Sequence, residues 1–340
     1  MLLSTQAENR AELQLIYSTG RSPEINKKNM ARLTNLFEAD ISAISKTYGL
    51  EITRYHPITG GEENSSFLLN TPNHDYVLTF YEKRAFAEVE NIALLLCHLD
   101  GHEFHTNRVL PTSQGSYVSK IQGKSFILKT WIPGETLRDT PQEDYRSIGK
   151  SIAQLHDIPA PAFLPRVLRY GLSVMPAALE HNGDLEYEAW LADKIDYLKD
   201  NFPAGLPQSF IHGDLFDDNI VFHNGRFEAI IDFGDASQYH RIYDLGSVLF
   251  GACMVNDALD FTRAADVING YQMRIVLEPG EKAAIQFFAV YAGAAISAWH
   301  YMHTYLGVAR GKRLVKYKLA ADRTEHLYNL KPLDFDSLLN

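Results

Sequence analysis

One stretch limits this chain more than any other: Phe210-Ile211-His212-Gly213-Asp214-Leu215-Phe216-Asp217-Asp218-Asn219-Ile220-Val221-Phe222, followed by Ile231-Asp232-Phe233-Gly234. It sets an Asp, an Asn five residues later, and a second Asp thirteen residues beyond that Asn. Phosphoryl transfer asks little covalent chemistry of a protein. It needs a hydroxyl held in place and metal that neutralises the phosphates. A carboxylate at the acceptor, an Asn close by and an Asp on a following strand supply those parts.

The surrounding residues suit that chemistry. Ile220-Val221-Phe222, the turn His223-Asn224-Gly225 and Phe227 to Phe233 read as a β-hairpin. Asp232 then stands at its far end, close to Asn219 across the strands. His-x-Asp with Asn five beyond the Asp, then Asp-Phe-Gly, is the order in which kinases carry these groups. His212, Asp214, Asn219 and Asp232 match it in spacing and order. Taken singly, Asp214 and Asn219 read as turn or cap residues; together with Asp232 they do not. His212 reads more readily as a buried histidine buttressing the loop than as a chemical group. A serine-hydrolase reading fails for want of a Gly-x-Ser-x-Gly elbow. A zinc reading fails because His-Gly-Asp has no His-Glu-x-x-His helix and no cysteine partner.

Along the chain, residues 1–29 form a polar extension, and Met30 opens a helical run with Leu33, Leu36, Phe37, Ile41 and Ile44. From about 50 to 130 the pattern is of strands: Glu51–Tyr55, Ser66–Leu69, Tyr76–Tyr81, Ser116–Ser119 and Ser125–Leu128, with one helix through Val89, Ile92, Ala93 and Leu96. After Pro133-Gly134 helices dominate, one carrying Ile148, Ile152 and Leu155, others over 184–200, 244–256, 257–275, 280–306 and 312–330. The expectation is an α+β chain of two lobes. A small antiparallel-sheet N-lobe spans 30–132, and a larger, mostly helical C-lobe spans 133–340.

A formal net charge of -10 argues against nucleic acid as partner. The basic group Arg310, Lys312, Arg313, Lys316 and Lys318 reads as a solvated helix face. Cys97 and Cys253 have no paired spacing and suit a reducing, cytoplasmic setting. The first residues lack the basic and apolar regions of a secretory signal. Ala283–Trp299 is short for a membrane span and broken by Gln286, Gly293 and Ser297, so it reads as a buried helix.

On the His212–Asn219 loop and the Ile231-Asp232-Phe233 strand, the chain resembles the aminoglycoside phosphotransferase and choline kinase-like family of small-molecule kinases. The resemblance implies a protein-kinase-like fold, ATP and Mg²⁺ as cofactors, and a small-molecule acceptor bearing a hydroxyl. It makes Asp214 the catalytic base, Asn219 and Asp232 the Mg²⁺ ligands, and Asp244 a brace for the catalytic loop, with His212 in support. Within the family the text is most similar to the homoserine kinases of this fold, through Tyr76–Arg84, His212–Asn219 and Tyr243-Asp244-Leu245. Gly60-Gly61-Glu62-Glu63-Asn64-Ser65 resembles their phosphate loop, which makes Gly61, Asn64 and Ser65 nucleotide-binding.

Three departures stand out. Many relatives carry a phosphate-binding lysine where this chain has Thr79. Lys83 faces the same way about 13 Å along the strand and is one candidate, aided by Glu88 or Glu90; it reads equally as an exposed strand-end lysine. The loop holds two acids, Glu62 and Glu63, so backbone N–H groups must form the cradle. After Ile-Asp-Phe this chain continues Gly234-Asp235-Ala236. Asp235 suits an ammonium group, as homoserine, hydroxylysine, choline and aminoglycosides carry, or else it is a turn residue. The implied protein is a cytoplasmic monomer or homodimer.

Overall fold

The computed structural model describes residues 34–58, 63–137, 144–305 and 316–331, together with Phe335 and Leu338. The polar extension over 1–29, the opening of the first helical run at Met30, Gly60-Gly61-Glu62 and the basic residues 310–313 lie outside the described residues.

The N-terminal part is built on a five-stranded antiparallel sheet of β1 (Arg54–Ile58), β2 (Asn64–Asn70), β3 (Asp75–Tyr81), β4 (Ser119–Ile121) and β5 (Lys124–Thr130), in the order β1-β2-β3-β5-β4. Helix α1 (Glu38–Tyr48) covers one face, where Ile44, Tyr48, Phe67, Leu69, Phe80, Phe126 and Leu128 form a core of their own. The other face carries Tyr81 and Ile127, which join Val89, Ile92 and Leu96 of α2 (Phe86–Gly101) in the large core that continues into the rest of the molecule. The central strand β3 is therefore apolar on both faces, while the outer strand β1 is mostly exposed.

Past β6 (Glu135–Thr136) the chain is mostly helical, with α3 (Tyr145–Asp157), α4 (Leu185–Asp200), α5 (Ile242–Gly251), α6 (Phe261–Gln272), α7 (Pro279–Tyr305) and α8 (Lys316–Asn329). Asp184 caps α4 by accepting Tyr187 N–H, and Asp260 caps α6 by accepting Thr262 and Arg263 N–H. Helices α3 and α6 cross at two glycines: a Cβ on Gly149 would lie 1.9 Å from Val267 O, and one on Gly270 2.0 Å from Arg146 O. Short strands are let in among the helices: β7 (Gln208–Ile211) with β10 (Ser237–His240), β8 (Ile220–His223) with β9 (Arg226–Ile230), and β11 (Met254–Val255) with β12 (Ala258–Leu259).

The two-lobed α+β arrangement is thus the observed one, and α7 is a buried helix. Among the described residues no helix is long and apolar enough to cross a membrane. Element ends differ from expectation in several places; α6, for one, spans Phe261–Gln272 where a helix over 257–275 is expected. The helix expected over 244–256 stops at Gly251, because Asn256 and Asp257 adopt positive φ and turn a β-hairpin. The first strand begins at Arg54 rather than Glu51. The strand expected over Ser116–Ser119 is instead Ser119–Ile121, since Ser116 Oγ is bonded to the Val118 backbone and holds that segment in a turn.

Candidate active site

Strand β7 delivers His212, Gly213 and Asp214 into a bend. Gly213 has φ +81, and a Cβ there would stand 2.5 Å from Asp235 O, so no other residue fits without displacing that segment. The bend is held from beneath by Asp244, fully buried in the first turn of α5. Its Oδ2 accepts the His212 N–H at 2.7 Å and its Oδ1 the Gly213 N–H at 3.0 Å. His156 Nε2 adds a bond to Oδ2 at 3.1 Å, and Nδ1 of the same ring meets the Tyr271 hydroxyl at 3.0 Å. Burial alone would drive the Asp244 carboxyl upward; the bond and charge of His156, helped by His212 and Gly213, hold it below the usual range.

His212 is likewise fully buried. Its Nδ1 accepts the Asp214 N–H at 3.2 Å, which leaves Nε2 to donate to Ile231 O at 2.9 Å. The ring lies edge-on to Phe233, centroids 4.7 Å apart. It therefore ties the Asp214 bend to the Asp232 segment and is spent on that task.

Asn219 closes a short 3-10 turn from Asp217. Its side-chain amide donates to Asp214 O at 2.8 Å and to Asp214 Oδ2 at 3.1 Å, while the Asn219 backbone carbonyl accepts Ile231 N–H at 3.0 Å. Strand β9 ends at Ile230, three residues short of the expected Phe233, because Asp232 adopts a left-handed conformation with φ 64 and accepts Gly234 N–H through its side chain. Asp214, Asn219 and Asp232 thus share one site. Burial, then the charges of Asp235, Asp218 and Asp232, push the Asp214 carboxyl well above the usual carboxylate range.

The donor set suits a divalent cation. With the Asn219 amide N–H₂ turned to Asp214, Asn219 Oδ1 and the exposed Asp232 carboxylate remain as hard oxygen donors, the type Mg²⁺ takes alongside substrate phosphates. Among the described residues no cluster of three or more His, Cys, Asp or Glu could hold a metal by protein groups alone. Asn219 Oδ1 and the Asp232 carboxylate would leave the rest of an octahedral shell to waters and phosphate oxygens.

Other expected residues fall less simply. Gly61 lies outside the described residues. Ser65 is buried on the α1 face of β2, where its hydroxyl bonds Glu82 and accepts Thr34 N–H at 2.8 Å, so it points away from the site. The neighbouring Ser66, with its hydroxyl 3.3 Å from that of Thr79, is on the face turned to the C-lobe, as is Asn64. Lys83 and Glu90 are exposed on the surface, and no ion pair involves either among the described residues. Glu88 caps α2 through Ala85 N–H and meets Arg169 at 3.3 Å.

Asp235 stands beside Asp214 but already has cationic company. Arg84 lies 2.7 Å and Arg169 3.7 Å from its Oδ1. Burial raises its carboxyl in spite of both guanidiniums. Next to this group Glu63 accepts from the Tyr170 hydroxyl at 2.6 Å and lies 3.3 Å from His303 Nε2. Burial opposes ionisation of Glu63, but bonds from His303 and Tyr170 bring its pKa down to about 2.

Arg84, Arg169, Tyr170, His303 and His156 were not singled out from sequence, because they come from separate segments and no local spacing announces them; Glu63 was noted only as an acid in the Gly60–Ser65 loop. Lys129 was missed too. It is 8% exposed on β5, burial lowers its pKa, and the charge of Asp232 opposes that shift. A lysine inside an apolar strand run, Ser125-Phe-Ile-Leu-Lys-Thr130, was the available signal.

The comparisons bear directly on this geometry. A family model described as "Phosphotransferase enzyme family" matches residues 54–278, which hold the sheet, the Asp214 bend and Asp232. The chain belongs to the phosphotransferase enzyme family. A homoserine kinase of Mesorhizobium japonicum is 31% identical over 266 residues, 75% of this chain and 83% of the relative. Among solved structures, an amicoumacin kinase in complex with AMP-PNP and Ca²⁺ superposes with TM-score 0.68 at 17% identity, covering 91% of this chain and 97% of that one. A spectinomycin phosphotransferase in complex with ADP and spectinomycin gives TM-score 0.66 at 14% identity, covering 87% and 98%. This phosphotransferase is therefore an ATP-dependent kinase of small molecules, with the fold of its family.

Proposed function

We propose that the protein transfers the γ-phosphoryl group of ATP to the side-chain hydroxyl of homoserine, with Mg²⁺ as the metal. The balance is ATP + R–OH → ADP + R–O–phosphate + H⁺. Asp214 orients the hydroxyl and takes its proton as the oxygen–phosphorus bond forms and the bond to ADP breaks. Asn219 Oδ1 and the Asp232 carboxylate would hold the metal, which supplies charge neutralisation at the phosphate oxygens. Asp244 and His212 keep the Asp214 bend rigid, so that the reacting atoms meet at contact distance.

The observation that supports the acceptor assignment is the set of charges of both signs gathered around Asp235, the neighbour of Asp214. Arg84 and Arg169 offer guanidinium groups, and Asp235 and Glu63 offer carboxylates. A zwitterionic amino acid presents a carboxylate for the former and an ammonium for the latter, and planar guanidinium pairs suit carboxylates. Choline and aminoglycosides have no carboxylate and leave the arginines without a partner on the substrate. The curated relative named above acts on the same amino acid by its name.

An acceptor panel tests the reading. Purified protein is incubated with ATP, Mg²⁺ and homoserine, hydroxylysine, choline or kanamycin in turn, and ADP release is followed. Homoserine should give the highest kcat/KM. Turnover with choline or kanamycin and none with homoserine would overturn the acceptor assignment.

A further inference from the structure

Phosphoryl transfer needs fixed positive charge at the nucleotide's phosphates, and strand β3 supplies none on the face turned to the C-lobe, where Val77, Thr79 and Tyr81 stand. The neighbouring strand does. In the β3–β5 ladder Thr79 pairs with Ile127 and Val77 with Lys129, so Lys129 lies on the same face as Thr79, one diagonal step away. Sheet geometry puts that step at about 7–8 Å between Cα atoms, within the reach of long side chains. Ile127 and Tyr81 pack in the core shared with the C-lobe, which fixes the direction in which this face looks.

The Asp232 segment is tied to this end of β5: Thr106 Oγ1 donates to Ile230 O at 2.7 Å and the side chain of the next residue, Asn107, donates to Thr130 O at 2.9 Å, and the Asp232 charge bears on both Lys129 and Tyr81. Among the described residues no carboxylate comes within ion-pair distance of Lys129; Asp232 acts on it only through space. A desolvated ammonium without a contact partner is costly, and such a group persists where a ligand's anion completes it.

The other cations of the N-terminal sheet are otherwise engaged or wrongly placed, Arg54 being exposed on the outer strand β1. Lys124 bridges Glu82 at 2.5 Å, in the group that holds Ser65 on the α1 face. Lys120 lies over the Phe86 ring, Arg84 pairs with Asp235, and Lys83 is exposed beyond the end of β3.

We infer that Lys129 is the lysine that binds the nucleotide's phosphates, the charge having moved from β3, where Thr79 stands, to the adjacent strand β5. The inference rests on the kinase reading and corrects the candidacy of Lys83. It leaves Thr79 and Ser66 as a neutral hydroxyl pair under the phosphates.

The test compares the parent, Lys129→Met and the double variant Thr79→Lys/Lys129→Thr by titration with ADP and with adenosine, with thermal melting as a control. Lys129→Met should weaken ADP binding at least tenfold, leave adenosine binding unchanged, and melt no lower than the parent. The double variant should recover part of the ADP affinity, and Lys129→Gln serves in place of the Met variant if that one misfolds. The titration is repeated in EDTA, where a defect acting only through Asp232 and a metal would vanish; the loss should persist. Parent-like ADP binding by Lys129→Met, or a loss confined to Mg²⁺, would mean that the lysine only balances Asp232 and would overturn the inference. A parent that binds adenosine but not ADP or ATP would sink the kinase reading itself.

Discussion

At the scale of single residues, the site places a destabilising charge where the chemistry needs it. The Asp214 carboxyl is pushed up by burial and by three neighbouring carboxylates. Between the unfolded value of about 3.9 and that raised value the native state binds more protons than the unfolded one, so stability falls as pH rises through the interval. Asp214→Asn removes the charge and keeps an acceptor for Asn219. Its melting temperature in the ligand-free state should exceed the parent's at pH 7, and the difference should disappear below about pH 4. Gly213→Ala tests the bend. With φ +81 and Asp235 O at 2.5 Å from the new Cβ, the variant must shift the loop that carries Asp214. A displacement near 1 Å costs on the order of 100-fold, so kcat measured at saturating ATP should fall at least that far. The residues of the Asp214 loop were legible because their chemistry fixes their spacing. Ser65 against Ser66 was not. Strand parity decides that choice, and parity follows from which face Phe67 and Leu69 give to α1.

At the scale of elements, helix α5 is the support on which the bend rests. Asp244 has no solvent exposure and serves His212 N–H, Gly213 N–H and His156 together. Its Ala variant leaves two buried backbone donors and a histidine without their acceptor. A loss of about 3–5 kcal/mol is expected in urea unfolding, the range for breaking a buried pair. The parent's own contribution from Asp244 has the opposite pH sense to that of Asp214. Its carboxyl is depressed in the folded state, so this stabilisation is present above about pH 4 and is lost as pH falls through the folded value. The long helices α4 and α7 were legible to within a residue or so, since their expected spans 184–200 and 280–306 meet the observed ones. Strand ends and the short β11–β12 hairpin were not, since Asn256 and Asp257 decide them by positive φ rather than by any apolar period.

At the scale of the whole molecule, the two lobes meet through contacts that no local pattern foretells. Arg84 and Asp235 are 151 positions apart in sequence, and Tyr170 and Glu63 107. Only the folded chain gathers them around Asp235, the neighbour of Asp214, which is why this end of the candidate site was the least legible. If those charges receive an amino acid, Arg84→Met should raise KM for homoserine tenfold or more and leave KM for ATP within about twofold, as removal of a bidentate carboxylate partner does. An equal rise for both substrates would instead mark Arg84 as a lobe-closing contact. The account as a whole stands on the carboxylate at 214 acting on the acceptor hydroxyl. The most direct measurement is steady-state phosphorylation of homoserine by the parent and by Asp214→Asn, with ATP affinity titrated alongside. The account predicts kcat lowered by about 10²–10⁴ in the variant, the range for a lost general base, at nearly unchanged ATP affinity. Equal kcat for the two proteins would contradict it.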